Sequence, residues 1–69
     1  ESPFESYLRA AENGDDDAMF IVGRCYMDGV GVEADAEKAH MWLNKAVSKG
    51  NQAAKRMLAQ QRKNQQSAE

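Results

Sequence analysis

Gly14-Asp15-Asp16-Asp17-Ala18 and Gly50-Asn51-Gln52-Ala53-Ala54 are the two segments that decide the fold. They lie 36 residues apart, and the correspondence spreads outward from them: Arg9 aligns with Lys45, Ala10 with Ala46, and Ile21-Val22-Gly23 with Met57-Leu58-Ala59. In each segment a glycine can close one helix in the left-handed conformation, and a short polar side chain follows that can cap the next helix. Strict identity between the two copies is low, but the order of sizes and caps is kept. A period in the thirties built from two helices is the mark of a helical solenoid.

Working outward, Ser2-Pro3-Phe4-Glu5 predicts a helix start. Ser2 can cap, Pro3 suits the first helical position and Glu5 completes a capping box. Phe4, Tyr7, Leu8, Ala10 and Ala11 supply its apolar positions, and Gly14 ends it. Three carboxylates, Asp15, Asp16 and Asp17, then match the amide donors and positive dipole end of a second helix over about 16–27. That helix, Ala18 to Met27, is apolar nearly all round, as expected of a helix sandwiched between neighbours. Asp28-Gly29-Val30-Gly31-Val32 breaks the pattern as a tight reversal. Asp35 caps a third helix over about 36–49, with Ala39, Trp42, Leu43, Ala46 and Val47 on one face. Gly50 closes it, and Asn51 caps a fourth helix that turns Ala54, Met57 and Leu58 inward. No apolar stripe survives beyond Leu58, so from Ala59 the helix is expected to fray into a disordered polar tail, 64–69. The predicted fold class is all-α: an α-α superhelix of four antiparallel helices over 1–63, with one full repeat at about 16–51 flanked by half repeats.

Ala18, Val22-Gly23, Tyr26, Asp28-Gly29, Gly31-Val32, Asp35, Lys38-Ala39, Trp42, Lys45-Ala46 and Gly50-Asn51 together resemble the Sel1-like repeat, a relative of the tetratricopeptide repeat. The resemblance covers one whole repeat at many fixed positions. It implies that Gly23 and Ala39 let two helices approach closely, that Tyr26 and Trp42 pack, and that Gly29 and Gly31 serve the turn. It also implies adaptor and scaffold work in protein assemblies, often in bacteria, with no catalytic site. In the flank, Gln61 and Arg62 stand where Cys25 and Tyr26 stand one repeat earlier. That change is expected of a polar terminal cap on an array.

Composition narrows the function classes. The 69 residues carry a net charge of −2. The charge is split: residues 1–37 hold ten acids against Arg9 and Arg24, while 38–69 hold seven bases against Glu69. Such a split can orient an encounter with a charged partner. No apolar run approaches the ~20 residues a membrane span needs. The first residue is Glu1 rather than Met, so a signal peptide is expected to be absent or already removed. A single cysteine, Cys25, can form no internal disulfide, and the compartment stays open.

No constellation of catalytic residues is expected. His40 has no second metal ligand three or four residues away, so no metal or cofactor is predicted. Asp15 to Asp17 lack the alternation of a calcium loop. Gly29-Val30-Gly31-Val32 follows a helix rather than a strand and has no Lys-Ser/Thr, which argues against phosphate binding. Cys25 lies among apolar neighbours, where a thiol is inert. Lys55, Arg56, Arg62 and Lys63 lack interleaved aromatics, so a solvated face is expected rather than a nucleic-acid or lipid tether.

A second stripe on the second helix, Asp17, Phe20, Arg24, Met27 and Asp28, has no assigned neighbour. Its counterpart one repeat on is Ala53, Arg56, Gln60 and Lys63. Phe20 and Met27 either pack beneath the preceding unit or form an apolar anchor in a shallow groove. The expected partner-binding set is Asp17, Phe20, Arg24, Met27, Asp28, Arg56, Gln60 and Lys63, and the expected ligand is another protein or peptide. The structural alternative is a module that caps or extends a longer solenoid, or self-associates.

Overall fold

Ser2 opens α1 (Pro3–Glu12) with the expected capping box: its backbone amide donates to the Glu5 carboxylate at 3.1 Å, and the Glu5 amide donates to Ser2 Oγ at 3.2 Å. The chain continues as α2 (Asp16–Asp28), α3 (Ala36–Ser48) and α4 (Gln52–Ser67). The computed structural model describes the backbone of residues 2–67 and the side chains of residues 2–61. Among these residues there are no strands, and the four helices pack in sequence order. α4 runs as backbone helix to Ser67, four residues past the boundary expected at 63. Its straight-chain Gln, Arg and Lys residues favour helix, and no Gly or Pro stops it. The rest of the expected tail, residues 68–69, lies outside the described residues.

The 36-residue period is visible in individual hydrogen bonds. At the first junction the Gly14 amide donates to Ala11 O at 3.0 Å and the Asp15 amide to Ala10 O at 3.1 Å. At the second, Gly50 donates to Val47 O at 2.8 Å and Asn51 to Ala46 O at 3.0 Å. This nested pair satisfies carbonyls that a helix end otherwise leaves open, and it needs a residue with positive φ. Gly14 (φ 102°) and Gly50 (φ 92°) provide it without a Cβ penalty. Asp15 and Asn51 each finish one helix with the backbone and start the next with the side chain. Asp15 Oδ1 accepts from the Ala18 amide at 3.1 Å, and Asn51 Oδ1 accepts from the Ala54 amide at 2.8 Å.

The packing directions follow from which ends meet. Phe4, at the start of α1, meets Tyr26, near the end of α2, edge to face with ring centroids 5.4 Å apart. Asp35, the cap of α3, donates its amide to Tyr26 O at 2.9 Å. Asn51, just past the end of α3, reaches the start of α2. Successive helices are therefore antiparallel, and α2 lies between α1 and α3. Gly29 (φ 69°) and Gly31 (φ 74°) carry the reversal from α2 into α3. The core draws on all four helices: Phe4 and Ala11 from α1, Ala18, Met19 and Val22 from α2, Trp42, Leu43 and Ala46 from α3, and Ala54 from α4. Val22 and Leu43 are fully buried. Burying a side chain of that size stabilises by about 1.5–3 kcal/mol, so these two positions anchor a small fold.

Candidate functional site

Two contacts fix how α2 is held, and so which of its faces is left over. On one side Gly23 lies against α3. A Cβ at position 23 would stand 2.7 Å from Leu43 Cγ and 3.2 Å from the Ala39 carbonyl oxygen. The missing side chain is what lets the helices approach. At the N-terminal end, the Asn51 amide group donates to Asp16 Oδ2 at 2.9 Å and to Asp17 Oδ1 at 3.0 Å. Asn51 is itself buried, so its two donations and its cap satisfy it inside the fold. The single side chain ties the start of α4 to the start of α2, one repeat earlier.

α2 and α4, joined at that end, border a groove of about 450 Å³. Phe20, Arg24 and Asp28 line it from α2, and Ala53, Arg56, Met57 and Gln60 from α4. Residues four apart on a helix fall about 40° apart around its axis, so these positions form one slightly spiralling stripe. Phe20 and Met57 are half-buried and pack against the core, while Arg24, Asp28, Arg56 and Gln60 are exposed. The groove therefore has an apolar floor and a polar rim. The Arg24 guanidinium lies 6.0 Å from the centroid of the Phe20 ring, a cation–π arrangement that lays it along the floor.

The structure sorts the residues expected from sequence. Phe20, Arg24, Asp28, Arg56 and Gln60 come together in the groove. Asp17 does not line it, because its carboxylate accepts from Asn51. Met27 is half-buried against the core and also lies off the groove, seven residues on from Phe20 and turned toward the Gly23 side of the stripe. The Lys63 side chain lies outside the described residues. Ala53 was visible in the sequence as the repeat counterpart of Asp17. Met57 was read as purely inward, yet it both touches the core and floors the groove.

The repeat positions are packed as a scaffold behind this surface. Ala18, Val22, Gly23, Ala39, Trp42 and Ala46 are buried and Tyr26 is half-buried. Lys45 Nζ sits 4.9 Å from the Trp42 ring and Lys38 Nζ 5.6 Å from the Tyr26 ring. Their stems cover aromatic surface that would otherwise meet water.

Cys25 lines a smaller cleft of about 160 Å³ with Ile21, Arg24, Asp28 and Val30. Burial pushes its thiol above the ordinary 9.0; Arg24 opposes that rise and Asp28 adds to it. A thiol held in the neutral form is a poor nucleophile. His40 is half-buried on α3. Among the described residues no three His, Cys, Asp or Glu side chains are placed to share a metal ion, and no helix is long and apolar enough to cross a membrane. The groove presents an apolar floor, two guanidiniums, an amide and a carboxylate.

Comparison with known families adds one finding. A family model described as Sel1 repeat matches residues 7–15, the end of α1 and its junction, and residues 16–51, from the first residue of α2 to the cap of α4. No curated protein and no solved structure matches the chain significantly. With the family model spanning most of the chain and the helices packed in the order it requires, the chain belongs to the Sel1 repeat family, whose repeats build α-α superhelical arrays and are generally protein-interaction modules, typically without catalysis.

Proposed function

We propose that this chain is a protein-interaction module that takes a linear segment of a partner polypeptide in the groove between α2 and α4. The observation that carries the reading is the groove's composition: Phe20 and Met57 form an apolar floor beside Ala53, rimmed by charged and amide side chains from both helices. Peptide-binding surfaces combine a buried anchor pocket with a polar rim in this way. The two helices are held by α3 and by the Asn51 contact, so the groove exists without a ligand, and binding would cost little reorganisation.

The test is a selection of peptides from a displayed random library against the 69-residue chain, followed by amide-resolved NMR titration of the winners. Perturbations should centre on Phe20, Arg24, Arg56, Met57 and Gln60. Phe20→Ala should weaken binding by about 1–2 kcal/mol, the usual cost of losing an interface anchor, with no loss of helicity. Perturbations centred on α1 and α3, with Phe20→Ala binding as well as the parent, would sink the groove reading.

A further inference from the structure

We infer that the groove selects an extended segment in which every second side chain is in turn apolar, acidic and basic; the inference rests on the groove reading above and specifies its partner. Phe20, Arg24 and Asp28 follow one another at intervals of four residues along one side of the groove. A helix rises about 1.5 Å per residue, so successive members stand about 6 Å apart along the axis. An extended peptide advances about 3.3 Å per residue and turns alternate side chains to the same face, which places them about 6.6 Å apart. A strand laid along α2 therefore meets one groove residue with every second side chain.

The chemistry at each level assigns the side chain that fits. At the first level the half-buried Phe20 and Met57 offer an apolar floor. At the middle level the exposed Arg24 guanidinium, 6.0 Å from the centroid of the Phe20 ring, carries N–H donors in a planar fork. Gln60, the counterpart of Arg24 one repeat on, adds a donor from the facing helix, so this level fits a carboxylate. At the last level Asp28 is the groove's one carboxylate, and it fits a cation while repelling a second acid. Reversing the peptide keeps the acid opposite Arg24 but exchanges the apolar and basic side chains, so the order of the pools holds in either direction while the full match is made in only one.

The experiment uses three fluorescein-labelled decapeptide pools with fixed cores, Leu-x-Glu-x-Lys, Leu-x-Lys-x-Glu and Leu-x-Gln-x-Gln, where x is Ala or Ser. Binding to the 69-residue chain is followed by fluorescence anisotropy at about 50 mM salt, where exposed charges are weakly screened. The first pool should bind about tenfold more tightly than the second, with the third between them. Arg24→Glu should abolish the preference between the first two pools, because each then meets one attraction and one repulsion along positions 24 and 28, whereas Phe20→Ala should weaken all three by the same factor. Far-UV circular dichroism of both variants checks that the helices persist. Equal binding by the three pools, or a preference for the Leu-x-Lys-x-Glu pool, overturns the charge pattern and leaves the groove reading standing. Failure of every pool to bind also overturns it. Failure of the groove itself is read separately, from the NMR map of the selected peptides.

Discussion

α2 and α4 begin 36 residues apart at matching junctions, and they differ in what lies across from them. Their starts are alike to within a few tenths of an ångström: one glycine with positive φ, one nested pair of backbone hydrogen bonds, and one side-chain oxygen on the third amide of the helix. Their faces are not. Met19, Val22 and Gly23 on α2 are buried, whereas their counterparts are Lys55 and Ala59, both exposed, and Leu58, half-buried. Even the two caps differ, Asp15 against Asn51, although both perform the same backbone task. The comparison teaches that backbone chemistry carries the period, while each departure from the period marks a neighbour. At Asn51 that neighbour is the carboxylate pair Asp16 and Asp17. A cap that also donates fits there, and a carboxylate cap would not.

The hardest way to break this comparison is to make the second cap like the first. Asn51→Asp keeps the acceptor for the Ala54 amide but removes both donations to α2 and buries a third carboxylate against two others. Losing two charge-assisted hydrogen bonds and adding repulsion should cost about 3 kcal/mol near neutral pH. That is a large share of the stability of so small a domain. The sign with pH follows from the introduced group. Its acid form is favoured in the folded state, so the deficit should be full at neutral pH and shrink as pH falls through the carboxylate range. Urea unfolding at pH 7 and pH 4 measures both. If the variant is as stable as the parent at pH 7, the contact between α2 and α4 does not hold the groove together.

The next largest effect lies at Gly23 and its counterpart Ala59. Gly23→Ala places a methyl group 2.7 Å from the Cγ of the fully buried Leu43 and 3.2 Å from a backbone oxygen, so α2 and α3 must separate. Overpacking on this scale outweighs the gain in helix propensity and should destabilise by about 2 kcal/mol net. Ala59→Gly, the reverse change on the exposed side of α4, should cost only the propensity difference, about 0.5–1 kcal/mol. Thermal unfolding followed by circular dichroism ranks the two. Equal costs would mean that the equivalent positions do not differ in cover.

How much of this was legible in the sequence follows from the same division. The caps at Ser2, Asp15, Asp35 and Asn51 depend on residues within three or four positions, so local spacing exposes them. The all-α class and the helix order follow, because helix starts and glycine stops alternate along the chain. The close approach at Gly23 came from the family resemblance, since spacing alone does not say that Leu43, twenty residues on, lies opposite. The groove's position was legible because repeat arithmetic puts Phe20 and Arg56 at equivalent places on two helices. Asp17 was assigned to the same stripe, and nothing within four residues reveals that Asn51, 34 residues away, already occupies its carboxylate. Met57 was read as inward because periodicity separates apolar from polar faces but does not say how deep the inward face is covered. Long-range pairings of that kind are set by packing, which one sequence does not display.

The smallest expected effect sharpens the comparison most. Asp15→Asn installs at the first junction the cap that the second junction uses. Asparagine and aspartate cap almost equally well, so the acceptor for the Ala18 amide is kept. The lost negative charge at the start of α2 costs a few tenths of a kcal/mol through the helix dipole, and lower repulsion with Asp16 and Asp17 offsets part of it. The net change should stay within about 0.5 kcal/mol. Both substitutions exchange the same two atoms at the same place in the same backbone motif. If their costs in paired urea titrations were alike, the difference between the two caps would belong to the motif; a gap of about 2 kcal/mol or more would belong to what Asn51 touches across the groove's end.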